Sequence, residues 1–244
     1  MLQGRAQPEA IAAGCPEMVD FGATATPLGD VQTLHVLCEF ESRLAEELLP
    51  PALHPTLPGV VGWMVQRVGE SPWGAFHLAQ TRIECRSGVR PRGYLVEAVV
   101  DSAAAAEALA SGWGFRSRLG TIRLRRYYDE VRAEVAVSGR DVLAIGLRDP
   151  QPLAAADVQY VANMNLARTP RGLRLVQVDP SFALERAERG EPRVDLFDGE
   201  AWGVAELEPA YPISASSTAG SMTLPQLRFL CRPEVWAFDG TERL

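Results

Sequence analysis

The chain contains no lysine. All 24 of its basic side chains are arginine, set against 31 acidic ones, and the formal net charge is −7. Without a side-chain primary amine no side chain can form an imine with a carbonyl substrate, so lysine Schiff-base chemistry is excluded. A Walker-type phosphate loop needs its lysine and is excluded with it. Histidine is scarce: His35, His54 and His77 are the only three, and none stands at metal-ligand spacing from another. The four cysteines, Cys15, Cys38, Cys85 and Cys231, match neither a metal knuckle nor a redox pair. That usage is the plain one of a reducing cytoplasm. No apolar run approaches the roughly 20 residues that span a bilayer, and no basic region followed by an apolar stretch marks a signal peptide. HExxH, a dinucleotide glycine fingerprint and a GxSxG elbow are missing too. The expectation is therefore no metal, no cofactor and a small-molecule partner.

The acidic balance argues against a nucleic-acid partner, which calls for a basic patch or stripe. The one local cluster, Arg116, Arg118, Arg123, Arg125 and Arg126, reads as a strand hairpin with solvated arginines. Apolar residues make up 47% of 244, enough for one ordinary domain with a real core. Residues 1–28 read as a loose lead-in and 29–244 as a single domain, with neither internal repeat nor linker.

Strand patterns dominate. Residues 31–40, 59–68, 76–85 and 94–100 read as strands, as do 141–147, 173–179, 202–208 and the stretch near SMTLPQLRFL. Phe40, Leu44 and Leu48 mark one face of a short helix, stopped by Pro50-Pro51. The Ala-rich segment 101–112 predicts a second helix, with Asp101 or Ser102 as cap and Gly112 as stop. Residues 153–164 are compatible with a third. Short strands outnumber helices, and 21 Gly plus 18 Pro supply turns. The class is mainly β with a few helices, an antiparallel barrel or sandwich-like core.

TIRLRRYY and VRAEVAVSG form a β-hairpin. A two-residue turn at Asp129-Glu130 sets Arg126 opposite Ala133 on the apolar side. An arginine there needs a carboxylate partner or an anionic ligand, and Tyr128 lies beside it as a possible donor. Alternation puts Ala75, His77, Ala79 and Thr81 on one face of their strand. That suits a cavity lining and equally suits close packing of a neighbouring element.

Several segments together resemble the acetoacetate decarboxylase family. LHVLCEFESRLAEELLPPAL is similar to its opening strand, helix and proline-rich exit, and SPWGAFHLAQ to its Pro-Tyr-x-Glu strand. YLVEAVVDSAAAAEALASGWGFRSRLGTIRL resembles the central stretch, NMNLARTPRG a later Asn-Leu-Lys-Ile-Pro segment, and WGVAELEPAYPISASSTAGSMTLP the closing strands. The resemblance implies a cone-shaped antiparallel β-barrel with flanking strands and a homo-oligomer. It also implies a stripped site. The Schiff-base lysine falls on Ser117, its neighbour on Arg118 and the preceding proline on Arg116. The Pro-Tyr-x-Glu glutamate falls on Ala75 and its tyrosine on Trp73. An earlier pocket glutamate falls near Gly62, and a pocket arginine about Gln32 or Thr33. The family decarboxylation is thereby excluded.

The implied function is a non-Schiff-base enzyme on a small keto, enol or polyketide-like intermediate of specialised metabolism, catalysing cyclisation, dehydration or isomerisation. The alternative is a non-catalytic small-molecule-binding protein on the retained barrel. The candidate catalytic residues are His77 as acid/base, Arg118 for oxyanion charge and Ser117. Trp73, Trp113, Phe115, Arg116, Arg126 and Tyr128 are the candidate substrate-binding residues.

Overall fold

In the computed structural model, which describes residues 2–244, 56% of the chain is strand and 12% helix. The strands are β1 (Thr26–Phe40), β2 (His54–Pro55), β3 (Gly59–Glu70), β4 (Phe76–Ser87), β5 (Arg90–Val100), β6 (Ser117–Leu119), β7 (Thr121–Arg126), β8 (Glu130–Val137), β9 (Arg140–Pro152), β10 (Ala162–Thr169), β11 (Gly172–Val178), β12 (Ser181–Phe197), β13 (Tyr211–Leu224), β14 (Phe229–Cys231) and β15 (Thr241–Arg243). The helices are α1 (Pro8–Ile11), α2 (Ser42–Leu48), α3 (Ala103–Trp113) and α4 (Ala237–Gly240). None is long and apolar enough to cross a membrane.

One hydrogen-bonded sheet runs β15-β14-β11-β10-β5-β4-β3-β1-β13-β12-β9-β8-β7, with β2 added to β4 and β6 to β5. Its ladders are antiparallel except where β10 and β6 flank β5. The expected barrel is not closed by this ladder. The path ends open at β15 and β7, and β7 returns against β3, β4 and β5 by packing alone.

The central strands are buried on both faces, which is why they read as near-continuous apolar runs. Alternation divides them between two cores. Val61, Trp63, Val65, Ala79 and Ile83 point into a first cluster with Val131, Leu143, Ile145 and Trp202. Val68, Phe76, Leu78 and Ala98 point into a second, covered by Ala105, Leu109 and Trp113 of α3. Ser102 caps α3 by accepting from the Ala105 N–H at 3.4 Å. The helix ends in a left-handed Gly114, φ 68°, two residues past the expected Gly112. This conformation costs glycine no Cβ clash.

Three local expectations are corrected. Residues 153–164 form a single 3-10 turn, Ala155–Asp157, and then enter β10. Residues 202–208 are turns, because the Trp202 N–H bonds back to Asp198 O at 3.2 Å and to Gly199 O at 3.1 Å. Their alternation reflects Trp202, Val204 and Leu207 anchoring a loop in the first core. The β7–β8 turn lies one residue earlier, so Arg126 faces Val131 and Leu124 faces Ala133. The N-terminal lead-in docks on its own chain, with Gly4 N–H donating to Leu53 O and Met18 N–H to Arg168 O.

Candidate active site

The structure places the expected site residues in separate surroundings. On β4, His77 closes a pair with Asp101: its backbone N–H and Nδ1 each lie 2.7 Å from a carboxylate oxygen. Burial opposes charge on Asp101, but these hydrogen bonds outweigh it and hold the carboxyl below its ordinary range. Ser117 on β6 is paired with Ala98. The next residue, Arg118, donates to Ala201 O, lies 3.5 Å from Glu97 and stands over the Trp202 ring. Burial raises the Glu97 carboxyl, and Arg118 and Arg116 draw it back down. Arg116 itself reaches Ile11 O at 3.4 Å.

The position inherited from the resemblance is thus an Arg118–Glu97 pair beside filled aromatic space. Trp63 packs on Phe197 with centroids 5.0 Å apart. Arg126 is held bidentately by Glu188 at 2.5 and 2.8 Å, and Tyr128 is 99% exposed at the hairpin tip. Trp73 packs edge-on to Trp113, whose indole donates to Pro225 O at 2.7 Å. Both Trp113 and Phe115 belong to the second core.

What the structure does assemble is a polar cluster inside that second face, which alternation on the His77 side of β4 did not disclose. Gln80, Arg82 and Glu84 occupy the other side of β4. Arg82, 1% exposed, donates to Asn163 Oδ1 at 3.0 Å, to His35 Nε2 at 3.1 Å and to Glu84 at 3.1 Å. The relay continues from Asn163 to Gln80 at 2.6 Å, from Gln80 to Gln66 at 3.4 Å and from Gln66 to Thr33 at 3.3 Å. A guanidinium can only donate, so it orients every amide downstream of it and makes His35 Nε2 an acceptor. The His35 proton then sits on Nδ1. Burial and then the Arg82 charge push the His35 pKa down to about 3, so the ring is neutral. Burial raises the Glu84 carboxyl while Arg82 opposes the rise.

Two glycines make room. A Cβ on Gly62 would stand 2.6 Å from Glu84 Oε1 and 3.3 Å from His35 Nε2, and one on Gly93 3.0 Å from Arg82 Nε. At Gly62, where the resemblance places a lost glutamate, the neighbouring strand supplies the carboxylate of Glu84 instead. The available signal was Gln80, Arg82 and Glu84 at alternate positions of a strand whose neighbours on that face, Phe76 and Leu78, are apolar.

The cluster edges a cavity with Gln66, Gln80, Arg82, Asn163 and Tyr160 on its polar side, and Phe76, Leu78, Leu109, Phe115 and Met222 among its apolar walls. It is narrow: about 20 Å³ is open to the centre of a water molecule, room for one such molecule. Tyr160, Val161 and Phe182 separate it from an outer groove of about 560 Å³. The Tyr160 and Phe182 rings lie 4.7 Å apart, and Tyr160 OH is 2.9 Å from Thr218 Oγ1. Among the described residues no group of three or more His, Cys, Asp or Glu is placed to hold a metal.

Residues 15–232 match the acetoacetate decarboxylase (ADC) family. No curated protein is matched by sequence. The fold is similar to acetoacetate decarboxylase from Legionella pneumophila, with TM-score 0.74 and 18% identity, covering 84% of this chain and 86% of that one. It is also similar to an acetoacetate decarboxylase-like enzyme from Sphingomonas wittichii, with TM-score 0.66, 18% identity and coverage of 91% and 93%. The enduracididine biosynthesis enzyme MppR, in a complex with pyruvate, has TM-score 0.65, 18% identity and coverage of 86% and 95%. With the family match spanning most of its length, the chain belongs to the acetoacetate decarboxylase family.

Proposed function

We propose that this protein is a non-Schiff-base enzyme of that family, acting on a small keto or enol compound in the cavity under α3. The observation that carries the reading is a fully buried guanidinium at the polar end of an apolar cavity, locked in place by Asn163, His35 and Glu84. Ligand pockets are commonly apolar with a few convergent polar groups. A preorganised cation in a dry site stabilises developing enolate oxygen without reorganising. In this reading Arg82 holds the oxygen, Gln80 and Asn163 keep the guanidinium aimed, and Glu84, which touches Arg82 without lining the cavity itself, is the proton carrier. Burial raises the Glu84 carboxyl above its ordinary value, and the Arg82 charge and hydrogen bond oppose the rise. As it stands the cavity holds about one water molecule, so both entry and fit require Tyr160 and Phe182 to part and join it to the outer groove. The pyruvate complex of MppR agrees with a keto-acid substrate class, and the reaction is an enol-based isomerisation, dehydration or cyclisation.

Three observations favour a second reading, a non-catalytic binding protein. His35 is held neutral at about 3 by burial and Arg82, burial pushes the Tyr160 hydroxyl up, and His77 is engaged by Asp101 elsewhere. The test is proton exchange of pyruvate and acetoacetate in D₂O, followed by NMR, with wild type and R82M. Enzyme-dependent deuteration lost in R82M supports the enolising enzyme. Binding without exchange supports the second reading. Neither binding nor exchange overturns both.

A further inference from the structure

A second groove lies on the other side of Arg92, between the β4–β5 turn and the segment 225–241. It measures about 690 Å³ and is lined by Arg90, Arg92 and Arg228 with Asp179 as its one acidic residue. The groove thus carries a formal surplus of positive charge in a chain whose net charge is −7. Arg92 is 7% exposed, its Nη1 donates to Pro91 O, and its Nε is buried without a partner. A buried guanidinium with an unused donor is costly unless a charge or acceptor meets it. Two aromatic rings complete the groove. Phe229 carries the Arg228 guanidinium 5.8 Å from its centroid. Phe238 is 69% exposed, a large apolar surface left facing the same space.

We propose that this groove is a binding site for an organic anion, a phosphate or carboxylate bearing an apolar ring or chain. The arginines take the charged group in forked, charge-assisted hydrogen bonds, and Phe238 and Phe229 take the apolar part. Burial works against the charge on Arg92, and a bound anion relieves that penalty. The site does not depend on the reading of the Arg82 cavity.

Calorimetric titration at low salt with inorganic phosphate, phenyl phosphate and benzoate tests it. Phenyl phosphate is expected to bind more tightly than phosphate and to weaken as salt is raised. R90Q/R228Q, which alters two exposed positions, is expected to lower its affinity about tenfold or more. F238A is expected to abolish the preference for phenyl phosphate over phosphate. Benzoate binding as well as phenyl phosphate shows a site that accepts either anion, benzoate alone assigns it to carboxylates, and benzoate failing assigns it to phosphates. No binding of any of the three, or an unchanged affinity in a folded R90Q/R228Q, overturns the proposal.

Discussion

Replacing Glu84 by glutamine tests the polar cluster most directly. The side chains of Arg82 and Glu84 are 1% and 14% exposed, with a 3.1 Å contact between them. Glutamine keeps the shape and one acceptor but removes the only charge that balances the guanidinium there. Breaking one side of a buried pair costs about 3–5 kcal/mol, because the remaining charge stays buried. Asn163 and His35 still accept from Arg82, so the lower end, about 3 kcal/mol, is expected. For a chain of this length that corresponds to a Tm lowered by about 6–12 °C. Urea denaturation should show a shifted midpoint at constant slope. R82M/E84Q removes both charges and leaves mainly Asn163 and His35 short of a partner, so it should fall short of the summed single costs by about 2 kcal/mol or more. E84Q within about 0.5 kcal/mol of wild type, or strictly additive costs, would refute the argument that charge balance holds this cluster.

Two further outcomes follow from the same cluster. His35 is pushed down to about 3 by burial and by Arg82, from an ordinary 6.5. Above pH 6.5 both folded and unfolded states carry it neutral. As pH falls from there toward 3, only the unfolded state takes up the proton, and stability declines by up to about 5 kcal/mol. H35Q is expected to flatten this acid limb in urea melts between pH 7 and pH 4, and an equal slope in both proteins counts against it. G62A puts a methyl into space held by Glu84 Oε1 and Leu37. A loss of about 1–3 kcal/mol is expected, read as a lower Tm; an unchanged Tm means that the carboxylate moves aside freely.

The strand-rich class and most central strands were legible because alternation and β-branched runs are local properties. The longest strand, β12, was not. SFALERAERGEPRVDLF carries charges along its length and is a strand because it pairs with both β13 and β9. The β7–β8 turn was placed one residue late, yet Arg126 kept its face, since moving its partner by two positions preserves the side under period-two geometry. Its partner was of the expected kind, a carboxylate, but Glu188 stands 62 residues away, beyond any local pattern.

The missing lysine settles one matter without any structure. A composition lacking a primary amine on every side chain cannot form a side-chain imine, whatever its fold. Which polar residues meet is a different kind of question. An arginine in a strand buried on both sides is tolerable only if distant strands bring it acceptors. Arg82 finds His35 47 residues before it and Asn163 81 residues after it. Those distances are closed only by the order β10-β5-β4-β3-β1 in the sheet, so tertiary structure alone decided where the buried charge sits and which cavity it faces.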